Sequence, residues 1–463
     1  MISLKLKGSF MTKSKTLLFA ALFATSLSAN SDANNFIELF SKGEAYGNIK
    51  YYYIQTDKDK TYTNQPNTSA SANSIGGQLG FKTARFKGFS AAVTFMTTNP
   101  FLISDDPAKV DTSIIAKDNG ARGGDATKGF AVVGEAYIGF DYKGANVTYG
   151  RKVIKTPLLH AKEVRMLPST FNGLYTSYTI NESNKIGFDY ITEFKQRTSD
   201  EFVNIIEHAL GDKTREVTGS DSGYMLMGSY NYKKDALKVN LYDSYAKDFL
   251  NAAYIDVLLD RKIEGIKFHM AAQYINQRSI GNAEDNLAKV GSLTDGKKVR
   301  SNAFGAIISG TMDYGTLTIA YSKVLKDDKY HDSLVLPWDG TPLFTNMITS
   351  NDLFQSIYGN ALKADSIYIG GSEGIKIAYK QRFDGVGLKG LSLTAAAMRT
   401  SNDKFTKGTQ YDYNAVLAYK YDKVLSFALK GIWVDNSATA EKDGTVSQLK
   451  QLSQYRVIAN YKF

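Results

Sequence analysis

Five cations fall within fifteen positions at Arg151, Lys152, Lys155, Lys162 and Arg165, opposed in that stretch only by Glu163 and His160. An arginine fork holds a carboxylate through two parallel hydrogen bonds, so Arg151 and Arg165 are the first candidates for gripping an anionic solute. Other chemistry is poorly supplied. The chain has no Cys, which removes disulfides, thiolate nucleophiles and thiolate zinc sites together. Its four histidines, His160, His208, His269 and His331, lack metal-ligand spacing, and neither a metal nor a cofactor is expected. Gly385–Gly390 reads G-x-G-x-x-G, but it lies between alternating segments rather than at a strand-to-helix step, so its glycines serve a turn. Gly370–Gly374 reads G-x-S-x-G, yet no His follows Ser372, which excludes a nucleophile elbow there. Binding, not catalysis, is the chemistry these residues suit.

The elements that must position them begin after an export signal. Lys5, Lys7, Lys13 and Lys15 precede the apolar run 17–27 and the small pair Ser28-Ala29. This order describes a secretory signal peptide over residues 1–29, cut after Ala29 or Ser28. Removing it takes four of the 56 basic residues and no acid, leaving 52 against 46 and a charge of +6. The remaining cations are scattered, without the Lys/Arg runs that track phosphates, so a nucleic-acid partner is not expected.

Residues 30–463 alternate in polarity at period two, the signature of half-buried strands. Ile266, Phe268, Met270, Ala272 and Tyr274 alternate with Lys267, His269 and Gln273; Leu425, Phe427, Leu429, Gly431 and Trp433 alternate with Ser426 and Lys430. Strands are expected near 44–56, 74–84, 88–98, 130–142, 144–152, 173–181, 184–196, 222–233, 236–246, 251–260, 264–276, 301–313, 316–325, 365–383, 390–400, 410–422, 424–435 and 450–463, about eighteen in all. The connections alternate between long and tight, except near 247–250, where a long one is due and a short one stands. An up-and-down antiparallel barrel with short periplasmic turns and long outer loops has this rhythm; a soluble sandwich has no reason for it.

In hydrocarbon every backbone donor and acceptor needs a partner, so a sheet there must close on itself. Eighteen strands enclose more space than side chains fill, which makes a water-filled lumen a geometric consequence. The fold class expected is therefore an all-β transmembrane barrel in the bacterial outer membrane. The chain ends on Phe463, with Tyr461, Val457 and Tyr455 on one face of the last strand. A C-terminal aromatic of this kind resembles the signal read by the barrel assembly machinery, so Tyr461 and Phe463 are the candidate assembly residues.

By parity Lys50, Lys82, Lys152, Lys238, Lys267, Lys376, Lys380, Lys420, Lys430 and Arg456 face inward. Cations along a narrow aqueous passage walled by low dielectric attract anions more strongly than the same charges on an open surface. Acidic pairs at Asp105-Asp106 and Asp327-Asp328 are the candidates for offsetting that field at the mouth, with weak divalent-cation binding as the lesser alternative to the metal-free expectation.

Glu135-Ala136-Tyr137, Gly150-Arg151-Lys152, Thr156-Pro157-Leu158 and above all the run Arg165–Gly173 resemble the OprD-type porins. Trp338-Asp339-Gly340 and Glu373 are similar to the family in character. The resemblance implies an 18-stranded monomeric barrel, with a trimer as the alternative, that admits small and often carboxylate-bearing solutes. It also implies that the third outer loop, here 153–172, folds into the pore as a constriction. Competing readings are a surface adhesin or receptor working through its loops, a barrel enzyme, and a plugged transporter, for which 30–43 is too short to make a plug. Lipopolysaccharide and outer-membrane lipid are the expected surroundings, and small hydrophilic solutes the expected cargo.

Overall fold

The computed structural model describes residues 32–59, 68–102, 114–115, 128–161, 165–291, 293–294, 296–348, 366–402, 404, 409–436 and 451–463. The expected signal peptide, Lys162, Glu163 and Asp105-Asp106 lie outside the described residues. All eighteen expected strands are present. The first six are β1 (Glu44–Asp59), β2 (Thr68–Lys82), β3 (Phe89–Pro100), β4 (Phe130–Tyr142), β5 (Ala145–Lys152) and β6 (Thr170–Asn181). Then come β7 (Asn184–Lys195), β8 (Met225–Lys234), β9 (Leu237–Ala246), β10 (Leu250–Ile263), β11 (Ile266–Ser279) and β12 (Arg300–Thr311). The circuit finishes with β13 (Gly315–Val324), β14 (Ser372–Arg382), β15 (Leu391–Asn402), β16 (Thr409–Lys420), β17 (Leu425–Asn436) and β18 (Gln451–Lys462).

Each strand pairs antiparallel with its sequence neighbours, and β18 returns to pair with β1 from Gln451↔Asp59 to Lys462↔Asn48. The ladder therefore has no free edge to leave unpaired groups in lipid. At the tight end, Lys143-Gly144 and Glu264-Gly265 take positive φ at both turn positions (44° and 87°, 48° and 86°). Such mirror-image turns match the twist of the flanking strands and need little more than a residue tolerant of that region followed by glycine. The exceptional outer connection is as short as expected: 247–249 joins β9 to β10 with Asp248 at φ 54°.

The outward face is a membrane surface. Ile308, Ile319, Ile377, Leu429 and Val457 are exposed across its middle, with Phe89, Tyr142, Tyr178, Tyr419 and Tyr461 toward the periplasmic end and Tyr245, Tyr274, Tyr413, Trp433 and Tyr455 toward the outer end. Aromatic girdles above and below an aliphatic band mark the two polar–apolar boundaries of a bilayer. No helix among the described residues is long and apolar enough to cross a membrane; the crossing is made by strands.

Two boundaries differ from expectation. The strand expected at 365–383 starts at Ser372, because Ser366–Tyr368 form one helical turn whose Tyr368 carbonyl accepts from Leu334 N inside the barrel. β6 starts at Thr170 rather than 173, so the third outer loop is 153–169 and the expected span 153–172 is three residues too long. Residues 32–43 form a small clasp: Asp32-Ala33 pair with Arg85-Phe86 of the first periplasmic turn, and the helix α1 (Phe36–Ser41) is capped by Asn35 and Glu38.

The apolar core sits inside the outer half of the barrel. There Leu158 and Leu159 pack with Ile205, Ile206, Leu210, Phe249, Leu287, Leu334, Val335, Trp338 and the inner-wall residues Phe171, Phe194 and Ile275. These loop residues come from the third, fourth (196–224), fifth (247–249), sixth (280–299) and seventh (325–371) outer loops, which turn inward and bury one another.

Candidate functional site

The third outer loop crosses the lumen and is tied at several points. On the β1 wall, the Lys50 ammonium donates to the carbonyls of Arg165 (3.1 Å) and Met166 (3.0 Å). Met166 and Leu167 pack beside Tyr52, Ile54 and Met96 of β1 and β3 and against Ile114 of the second loop. Toward the other side, Leu159 bridges to Asp339, and His160 N donates to Trp338 O. Asp339 is the hub of this contact. It accepts from Ser169 Oγ at 2.6 Å and from Arg197 Nη1 at 3.0 Å, joining the third, fourth and seventh loops through one nearly buried carboxylate. Gly340 follows because a Cβ there would lie 2.5 Å from the Leu158 carbonyl. Lys195, fully buried, donates to the carbonyls of Pro168, Gln196 and Ser199, which pins the end of the third loop to the start of the fourth.

Where Arg165 leaves this loop, three cations meet. Lys430 and Arg456 are direct cross-strand partners on β17 and β18, on the lumen side of the wall. Their neighbours Leu429, Val457 and Tyr455 point outward, as period two requires. Lys430, Arg456 and Arg165 interact electrostatically with one another and with the buried Tyr52. Arg456 is 1% exposed. Its Nε donates to Gln454 Oε1 at 2.6 Å and its Nη1 reaches Tyr52 Oη at 3.5 Å, while Nη2 has no hydrogen-bond partner among the described residues. Like charges placed directly opposite in a ladder repel. Positive charge is therefore concentrated on this side of the lumen, close to where the third loop crosses.

The other expected cations divide by use. Lys152 stands 5.0 Å from the Tyr175 ring centroid, within the electrostatic range of Asp189, Glu135, Lys185 and Lys82, so that part of the lumen mixes signs. Lys376 donates to the carbonyls of Phe344 and Asn346 and holds the seventh loop inside the barrel. Lys238 pairs with Asp260 at 3.0 Å, and Asp260 also meets His269 Nδ1 at 2.7 Å. Lys267, Lys380 and Lys420 are exposed to the lumen, and Lys155 is exposed on the third loop. Asp256 and Asp260 both stand on β10, seven strands round the circuit from Lys430 on β17. Asp260 is offset there by Lys238 and His269, so the β10 side of the lumen mixes signs.

Arg151 is a correction. It shares the parity of the outward Tyr149, pairs with Asn172, and lies with its guanidinium 4.1 Å from the Phe202 ring centroid. Lys152 takes the inward position instead, and two adjacent strand residues cannot both face the lumen. Ser372 is buried and accepts from Asn402 Nδ2 at 2.9 Å, in keeping with a structural hydroxyl. Asp328 pairs with Lys326, and Asp327 caps the turn to Lys329. The inward-folded fourth, sixth and seventh loops were missed by reading for strands. The available signal was their apolar content, Phe202-Val203 with Ile205-Ile206 and Leu334–Trp338, out of place in loops facing water.

A sequence model of outer membrane porins of the OprD family matches residues 40–463. The chain belongs to the OprD family. This OprD-family porin is accordingly an outer-membrane channel and not an enzyme. Among solved structures, OccK8 (OprE) of Pseudomonas aeruginosa is similar at TM-score 0.71 and 15% identity over 92% of this chain and 99% of that one. A BenF-like porin from Pseudomonas fluorescens gives TM-score 0.71 at 13% identity over 92% and 99%. Pseudomonas aeruginosa OpdK, solved with vanillate, gives 0.68 at 14% over 92% and 99%. At these identities the likeness is one of fold. No curated protein matches the chain.

Proposed function

We propose that this porin passes small hydrophilic solutes with a preference for anions bearing a carboxylate, selected where the third outer loop meets the basic wall. The carrying observation is the opposed pair Lys430–Arg456 with Arg165 beside it, three cations gathered where the third loop crosses the lumen. An Arg fork meets a carboxylate with two parallel bonds, and low dielectric around the passage strengthens the attraction. Rows of Arg and Lys favour anion passage in pores generally. Among the neighbours in fold, OpdK was solved with vanillate, a carboxylate, which agrees with this chemistry. A surface-receptor reading is weaker, because the long outer loops bury their apolar residues against one another inside the barrel.

Planar-bilayer recordings under a salt gradient test the proposal. The expected result is a steady conductance whose reversal potential favours the anion, with that preference falling several-fold in Arg456→Gln and Lys430→Gln. Folding is checked in parallel by heat-modifiable gel migration. A cation-selective wild-type pore, or variants with unchanged selectivity, overturns it.

A further inference from the structure

We infer a binding site for the phosphorylated headgroup of an outer-leaflet glycolipid on the outer rim of β11 and β12, where Arg278 and Arg300 face each other. The two residues are direct cross-strand partners. They lie on the lipid side of the wall: Gln277, Ser279 and Ser301 are buried toward the lumen, while Tyr274 and Phe304 on the same parity as the arginines are exposed outward. Directly opposed side chains in a ladder have Cβ atoms about 5 Å apart, and two guanidiniums at that spacing repel.

Neither arginine forms an ion pair with a carboxylate among the described residues. On the β10 side, Arg278 is flanked by Asn251, whose amide is committed to Asp243 at 2.8 Å. Arg300 is held in place by an aromatic ring, its guanidinium 5.2 Å from the centroid of Tyr330 and its Nη1 3.4 Å from Tyr330 Oη.

Depth follows from the residues below. Beneath the arginines, Asn276 Nδ2 donates to Asn302 Oδ1 at 2.8 Å, and Tyr274 Oη donates to the same oxygen at 2.7 Å. Tyr274 opposes Phe304, and the exposed Ile308 lies further down β12. The wall thus descends from guanidinium to amide to aromatic to aliphatic, which is the order of a headgroup, its boundary and its acyl chains. A doubly charged phosphate seated between two arginine forks is the complement of this arrangement. Acyl chains running down past Tyr274 and Phe304 select a lipid over a free anion. The site faces away from the lumen and stands whether or not the pore prefers anions.

The test uses the full-length barrel in phosphatidylcholine nanodiscs, with and without diphosphoryl lipid A, reading the thermal unfolding midpoint and the lipid retained in native mass spectrometry. The wild type is expected to gain several degrees and to retain lipid A, to gain much less with the dephosphorylated lipid, and to show no gain with inorganic phosphate. The double variant Arg278→Gln/Arg300→Gln is expected to lose the gain and the retained lipid at unchanged conductance. Should the double variant fail to fold, the single variants Arg278→Gln and Arg300→Gln are each expected to lower retention several-fold. A double or single variant that responds like the wild type, a wild type that does not respond, or an equal shift from inorganic phosphate overturns the inference.

Discussion

At the residue scale, the two arginines first singled out for anion contact separate cleanly. Arg165 leaves the third loop beside Lys430 and Arg456, whereas Arg151 lies outside the wall against Phe202. Arg165→Ala is therefore expected to lower anion selectivity several-fold and Arg151→Ala to leave it unchanged, both read from reversal potentials. Parity made Lys430 and Arg456 legible as inward, because alternation is strict where one face meets lipid. It could not announce that they oppose each other, since register depends on a partner 26 residues further along the chain arriving at the right height. A second residue-level expectation concerns His331 in the seventh loop. Burial holds its imidazole down at about 4 against the pull of Asp332, with Lys404 and Lys297 adding to the depression. Its backbone ties the loop to Lys298 and Arg300. The protonated form is favoured when the loop opens, so this clasp is fully stable above about pH 6.5 and weakens as pH falls toward 4. Hydrogen exchange across 325–335 is expected to quicken over that window, and His331→Gln to flatten the dependence.

At the element scale, all eighteen strands could be read from alternation, and the tight turns from the short spacing between strands, with Lys87-Gly88, Lys143-Gly144 and Glu264-Gly265 at three of them. The inward-folded loops could not, for a physical reason. Their helices are short, such as Ile205–Leu210 and Thr214–Thr218, and their apolar residues are buried by partners from other loops rather than by a periodic face of their own. Their arrangement is carried by a few polar hubs. Asp339→Ala removes the acceptor shared by Ser169 and Arg197 and leaves a nearly buried guanidinium without its counter-ion, a cost of roughly 1–3 kcal/mol confined to the loops. The expected outcome is a barrel of unchanged heat-modifiable mobility whose open-channel current fluctuates more. Lys50→Met, which frees the carbonyls of Arg165 and Met166, is expected to act the same way from the opposite wall.

At the scale of the whole molecule, the decisive contact joins residues at opposite ends of the chain. β1 and β18 share a ladder, Asn48 Nδ2 donates to Asn460 Oδ1, and Gly47 and Phe463 exchange both backbone hydrogen bonds. Deleting 451–463 strips the partner from both β1 and β17, and the truncated chain is expected to yield no heat-modifiable species in detergent or bilayer. This seam also sets a timetable for biogenesis. A growing polypeptide cannot complete its cylinder until the last dozen residues are in place, because β18 is the partner of both β17 and β1. The closing step is therefore one that no hairpin formed earlier can replace.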